Sequence, residues 1–194
     1  MKYILILFLF TPFIVKSQFS YKGDKSTITN FSFSISPTFV IPFGNLNDAY
    51  ENGYGGLITL SKHINENSEL FIEGGYISFK GKSISVVSHS LSFPNMQHIP
   101  LTIGGKYINE KFNFGFGVGV GKYWLTDSDP TYGFMINPSI GYDIGPIVIG
   151  VNYSLTSLNS GVTKNGNSNT YLGLKFNIKL PKAINMKTNF EWNK

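Results

Sequence analysis

The chain contains no cysteine and no arginine, and it has few charges of either sign. Without cysteine there is no disulfide framework and no acylated N-terminal Cys. Without arginine the forked donor set that reads phosphates and guanine edges is missing, and its formal net charge of +5 comes from lysine alone. No basic cluster points to nucleic acid. The three histidines, His63, His89 and His98, lie far apart with no H-x-x-x-H pair, so no metal site is expected. Charged residues make up 14% of the chain, against roughly 25% in soluble globular proteins, which ill suits a surface wetted all round. Yet past the N-terminus no apolar run approaches the ~18 residues that mark a membrane helix.

What is present begins with an export signal. Lys2 supplies a charged start, and Tyr3–Val15 is an apolar stretch interrupted by Thr11 and Pro12. Val15-Lys16-Ser17 resembles a cleavage site that would leave Gln18 first. The expected organisation is a signal peptide over 1–17, a periplasmic N-terminal segment over 18–30, a barrel over 31–180 and a tail over 181–194.

The most informative stretch is Phe112–Gly121, where Phe112, Phe114, Phe116, Val118 and Val120 alternate with Asn113 and four glycines. A period of two puts the two sets on opposite faces of a strand, one apolar and one nearly without side chains. Small residues suit a concave wall where side chains from across a narrow barrel need room.

Eight segments carry such alternation. They are Phe31–Ile41, Tyr54–Ile64, Glu69–Lys80, Met96–Ile108, Phe112–Trp124, Tyr132–Ile144, Ile147–Leu155 and Asn169–Leu180. In the third, Phe71 and Ile77 blur the pattern. Each is long enough for a tilted crossing of about 9–11 residues, and the number is even, as in bacterial single-chain barrels. Edges cannot stay open in lipid, so the first strand must pair with the eighth.

The connections alternate as well. Asn65–Ser68, Asn109–Lys111 and Gly145-Pro146 are short. Pro42–Gly53, Gly81–Asn95, Leu125–Thr131 and Thr156–Ser168 are longer. Outer-membrane barrels have tight periplasmic turns and longer outer loops, which puts both termini in the periplasm. The expected fold class is therefore all-β, an eight-stranded antiparallel up-and-down transmembrane barrel.

Over Phe31–Leu180 the chain resembles the small outer-membrane β-barrel (porin-family) proteins of Gram-negative bacteria. The likeness is carried by Pro42-Phe43-Gly44, by Tyr50 and Gly53-Tyr54-Gly55-Gly56, by Ile99-Pro100-Leu101 with Gly104-Gly105-Lys106-Tyr107, and by the glycine-alternating fifth segment. The resemblance implies the cell outer membrane as location. It implies outer-membrane lipid, lipopolysaccharide and the barrel insertion machinery as partners. Family members usually close the last strand on an aromatic residue, whereas here that strand ends at Leu180; Phe190 or Trp192 could serve only if the tail were strand-like.

Several other arrangements compete with this reading. A secreted lipocalin-like barrel binding an apolar ligand would turn the apolar stripes inward and leave a Gly/Ser/Asn/Thr outer face poor for solubility. A β-sandwich needs no strict alternation of loop length. A hydrolase at the outer rim would draw on His89 between Ser88 and Ser90, with Asp127 or Asp129, but nothing sets a base beside a nucleophile. No catalytic, cofactor-binding or metal residue is assigned, and no cofactor is expected.

The role expected is structural, adhesive or porin-like, with side chains filling most of an eight-stranded lumen. Glu73, Lys106, Asn137, Asn152 and Lys175 project into it, and His63 and His98 serve there as hydrogen-bonding groups. Glu73 is expected to pair with a lumen lysine, Lys106 or Lys175. Tyr107, Phe112 and Tyr142 near the short turns, and Trp124, Tyr132 and Phe134 near the long loops, are expected to face outward as two aromatic belts.

Overall fold

The computed structural model describes residues 31–86, 89–126, 128–158 and 168–180. The expected signal peptide, N-terminal segment and C-terminal tail, with Phe190 and Trp192, lie outside them, as do Ser88 and Asp127.

Alternation resolves into strands β1 (Phe31–Phe43), β2 (Tyr50–Asn65), β3 (Ser68–Gly81), β4 (Ser83–Val86), β5 (His89–Ser92), β6 (Met96–Asn109), β7 (Phe112–Leu125), β8 (Thr131–Asp143), β9 (Ile147–Leu158) and β10 (Ser168–Lys179). Eight of them close a barrel in the order β1-β10-β9-β8-β7-β6-β3-β2, every pair antiparallel. The remaining two, β4 and β5, form a separate hairpin within the connection between β3 and β6. That connection and the one after β1 hold more structure than their sequences suggest. A five-residue helix α1 (Asn45–Ala49) follows β1, and β2 begins at Tyr50 instead of Tyr54. Gly44 makes the turn into α1 at φ 56, a left-handed conformation that costs glycine little.

The apolar stripes face outward. Phe33, Ile58, Ile72, Leu101, Phe116, Phe134 and Ile140 are all exposed on the outer wall, while Thr59, Glu73, Thr102, Asn137, Asn152 and Lys175 are buried inside. This is opposite to a lipocalin-like arrangement. Tyr107, Phe112, Tyr132, Phe134 and Tyr142 are outward and exposed as well. Trp124 stands on the same face against Tyr76, with ring centroids 6.2 Å apart.

The glycine wall of β7 has a specific tenant. Phe71, whose parity blurred the third segment, points into the lumen and is 6% exposed. A Cβ on Gly104 would come within 2.7 Å of its ring, and one on Gly117 within 3.3 Å. Gly121 likewise leaves room for the rings of His98 and Tyr123.

Prolines mark three interruptions of the ladder. Pairing lapses between Ile35/Ile178 and Thr38/Lys175 beside Pro37, between Gly74/Leu101 and Ile77/His98 beside Pro100, and between Ile136/Leu155 and Ser139/Asn152 beside Pro138. Proline has no N–H to donate, so the ladder cannot run through it. Side chains bridge two of these seams from inside. Ser36 bonds Asn177 and Thr38 Oγ1 donates to the Leu174 carbonyl at 3.2 Å, while Asn152 Nδ2 donates to Asn137 Oδ1 at 2.9 Å.

Candidate functional site in the barrel lumen

The inward face is zoned along the barrel axis. The half nearer the short turns is ionic. Glu73 on β3 sits directly opposite Thr59 and Thr102 in the ladder. Its carboxylate accepts from Lys175 Nζ at 2.6 Å and from Thr59 Oγ1 at 3.0 Å. Lys175 stands on β10, three strands away round the wall, so this ion pair is a strut across the lumen. Both side chains are under a tenth exposed, and a buried carboxylate is tolerated only when so paired.

Lys106, the other expected partner, goes elsewhere. It stands opposite Glu69 and pairs with it at 3.3 Å, its ammonium 5.0 Å from the centre of the Phe71 ring. Glu69 is also 3.7 Å from His63 Nδ1, so His63 neighbours a carboxylate near the short turns. The sequence reading had not placed Glu69 in the lumen. At the very end of this half, Lys179 of β10 pairs with Asp143 of β8.

Between these struts lies a cavity of about 20 Å³ lined by Phe71, Glu73, Lys106, Asn113, Asn137 and Lys175 among others. That is room for about one water molecule.

The half nearer the long loops is apolar and aromatic. Val40, Tyr50, Leu57, Ile77, Phe79, Met96, Tyr123, Leu158 and Tyr171 pack into one buried core, with Leu46 and Ala49 of α1 set over it. His98 stacks on Tyr123 with ring centroids 4.0 Å apart and planes 12° from parallel, and meets Tyr171 edge-on. Tyr123 and Thr156 share a hydrogen bond of 2.7 Å across the core. His98 Nδ1 faces the Lys122 carbonyl at 3.4 Å, and its Nε2 has no partner. His98 therefore serves the lumen more by stacking than by bonding.

An inward aromatic core at the long-loop end was not anticipated. Its signal was present as apolar residues on the inward parity, such as Phe79, Tyr123, Met135 and Tyr171, all near the long-loop ends of their strands. His89 and Ser90 fall on β5, and Asp129 lies beside the outer wall near Gln97 and Trp124. Among the described residues no group of three His, Cys, Asp or Glu side chains is placed to hold a metal.

An apolar outer wall, an inward face that runs from ionic to aromatic, and strict up-and-down pairing define a small eight-stranded barrel of the outer-membrane type. No protein-family model and no curated protein matches the chain by sequence. Solved structures do. The backbone structure of the Yersinia pestis outer membrane protein Ail in a phospholipid bilayer nanodisc superposes with a TM-score of 0.54 at 14% identity, covering 77% of this chain and 99% of that one. Outer membrane protein OprG from Pseudomonas aeruginosa gives 0.47 at 11% identity over 78% and 95%, and Neisserial surface protein A gives 0.48 at 13% over 78% and 96%. At these identities the likeness is one of fold, and it rests on the first of the three.

Proposed function

We propose that the chain is an integral protein of the cell outer membrane, with long loops outside and both termini in the periplasm. In this reading it works as a closed, surface-presenting barrel, neither an open pore nor an enzyme. What supports this reading is the set of side chains packed across the lumen. The Glu73–Lys175 strut crosses one half, the His98–Tyr123–Tyr171 cluster fills the other, and α1 caps it. A solute would have to displace all three layers to pass. What the barrel offers instead is its long-loop end, where the β4–β5 hairpin stands outside the barrel sheet. The short turns agree with this orientation, because outer-membrane barrels keep their tight turns on the periplasmic side.

Single-channel recording of the refolded protein in a planar bilayer tests the reading. The expected record has no steady conductance step. Stable, ion-selective openings would overturn the closed-barrel assignment.

A further inference from the structure

His98 stands apart from the ionic groups of the lumen. It is fully buried on β6, directly opposite Ile77 of β3 and Tyr123 of β7 in the ladder. Its ring lies flat on Tyr123 and meets Tyr171 of β10 edge-on. A Cβ on Gly121 would meet His98 Cε1 at 2.8 Å and Met135 Sδ at 3.4 Å, so β8 closes the remaining side with a thioether. We propose that His98 makes the long-loop half of the lumen an acid-released plug, in which protonation of the imidazole loosens the aromatic packing and opens that half to water. The proposal rests on the packed lumen of the closed barrel and is independent of which way the long loops face.

The geometry fixes where the proton goes. Nδ1 faces the Lys122 carbonyl at 3.4 Å, and a carbonyl only accepts, so Nδ1 carries the hydrogen of the neutral ring and Nε2 the lone pair. Nε2 has no partner. A proton arriving there becomes an N–H donor with nothing to accept it, on a ring that now bears a full charge. Burying such a charge is costly unless it is paired and hydrogen-bonded, and attraction to the Tyr123 face returns only part of the lost hydration.

Among the described residues, no group around the ring offsets that charge. The titratable neighbours are the Tyr123 and Tyr171 hydroxyls, which stay neutral in acid. Ile77 and Met135 carry no charge, and the Lys122 side chain lies on the outer wall over the Trp124 and Tyr132 rings. The next inward charges, Glu73 on β3 and Lys175 on β10, each stand four residues nearer the short turns than Ile77 and Tyr171, and they are bound to each other. His63 makes the contrast. With Glu69 3.7 Å from its Nδ1 it gains a partner on protonation, so a proton there tightens the ionic half.

Proton linkage sets the size of the effect. A hydrated histidine takes up its proton near pH ~6.5, whereas the closed plug offers that proton no acceptor. Each pH unit below that value favours the opened half about tenfold, the slope of a single proton, until the opened form dominates. Above it the plug keeps its full stability.

The test uses the full chain refolded in phosphatidylcholine bilayers. The chain has no cysteine, so Val40→Cys places a lone reporter thiol at a fully buried position of the core. Its reaction with dithiodipyridine, which labels thiols in acid, is timed from about pH 7.5 down to about pH 4, an interval that brackets histidine titration. Dividing by the rate at exposed Asn52→Cys cancels the reagent's own pH dependence. The ratio should be small at the neutral end and rise about tenfold per unit below pH ~6.5. It should stay level with His98→Phe, a flat ring with no site for the proton, whose folding is checked by heat-modifiable migration. Independently, NMR of a His63→Asn/His89→Asn chain reads the His98 ring, which should become charged over the same interval. A level ratio with His98 present, an equal rise in His98→Phe, or a rise while the His98 ring stays neutral would overturn the switch. A ratio near one already at neutral pH would overturn the closed lumen and the switch with it, so the two failures are told apart.

Discussion

At the scale of single residues, the stability of the barrel hangs on what each inward side chain meets. Glu73 is the sharpest case, because its carboxylate has Lys175 and Thr59 as partners and almost no water. Removing one member of a fully buried pair typically costs about 3–5 kcal/mol, less where water enters, because the other charge is stranded. Glu73→Ala should therefore lower the urea midpoint of the refolded protein in detergent micelles, whereas Lys122→Ala on the outer wall should leave it nearly unchanged. The double replacement Glu73→Leu/Lys175→Met should recover much of the loss, since neither charge then remains. Equal midpoints for Glu73→Ala and wild type would remove the strut from the account. Gly104 makes the complementary case of space. A methyl there would meet the Phe116 carbonyl oxygen at 2.2 Å and the Phe71 ring at 2.7 Å, neither of which yields easily. Gly104→Ala should cost about 1–3 kcal/mol by overpacking, measured in the same titration.

At the scale of elements, the short turns and the prolines set local limits on the ladder. The β6–β7 turn is closed by the Asn109/Phe112 pair, with Glu110 at φ 51. That left-handed conformation costs a residue bearing a β-carbon roughly 1–2 kcal/mol, and Asn bears it better. Glu110→Asn should thus stabilise the barrel by up to about 1 kcal/mol, read as a higher urea midpoint with an unchanged slope. The β8–β9 turn avoids the problem by placing Gly145 at φ 88, its N–H donating to Asp143 Oδ1 at 2.9 Å. Pro37 and Pro138 break seams whose lumen sides are tied by Ser36–Asn177 and Asn137–Asn152. Side-chain bonds there stand in for backbone bonds that lipid cannot replace.

At the scale of the whole molecule, the outer wall defines how the barrel sits. Lys122 lies 5.4 Å from the centre of the Trp124 ring and 6.0 Å from that of Tyr132, a cluster with wet tips and apolar bodies. Such side chains settle at the interface between headgroups and hydrocarbon. With Trp192→Phe, emission from Trp124 should be quenched most by lipids brominated near the headgroup and least by those brominated at the chain ends. Strongest quenching from the bilayer centre would refute the depth assigned to the long-loop rim. Fractionation with outer membranes and heat-modifiable migration on gels should accompany it, and recovery as a detergent-free periplasmic protein would sink the membrane reading.

Much of the fold was legible in the chain because strand parity is a local property. Phe31, Phe33 and Ile35 against Ser32, Ser34 and Ser36 already state two faces, and a barrel in lipid has only one way to use them. Loop length is equally local, which is why the alternation of short and long connections stood out. The choice of partners inside the lumen is a different kind of fact. Glu73 and Lys106 are neighbours on adjoining strands, yet a four-residue offset of register hands Lys106 to Glu69 and leaves Glu73 to Lys175 across the lumen. Phe71 and Ile77 blur the parity of their segment, and Gly104 and Gly117 show where the Phe71 ring fits. Sequence periodicity decided which way each side chain points, because that depends on a residue and its immediate neighbours. Closure of the barrel alone decided what each one meets, because register and distance across the lumen join residues more than a hundred positions apart.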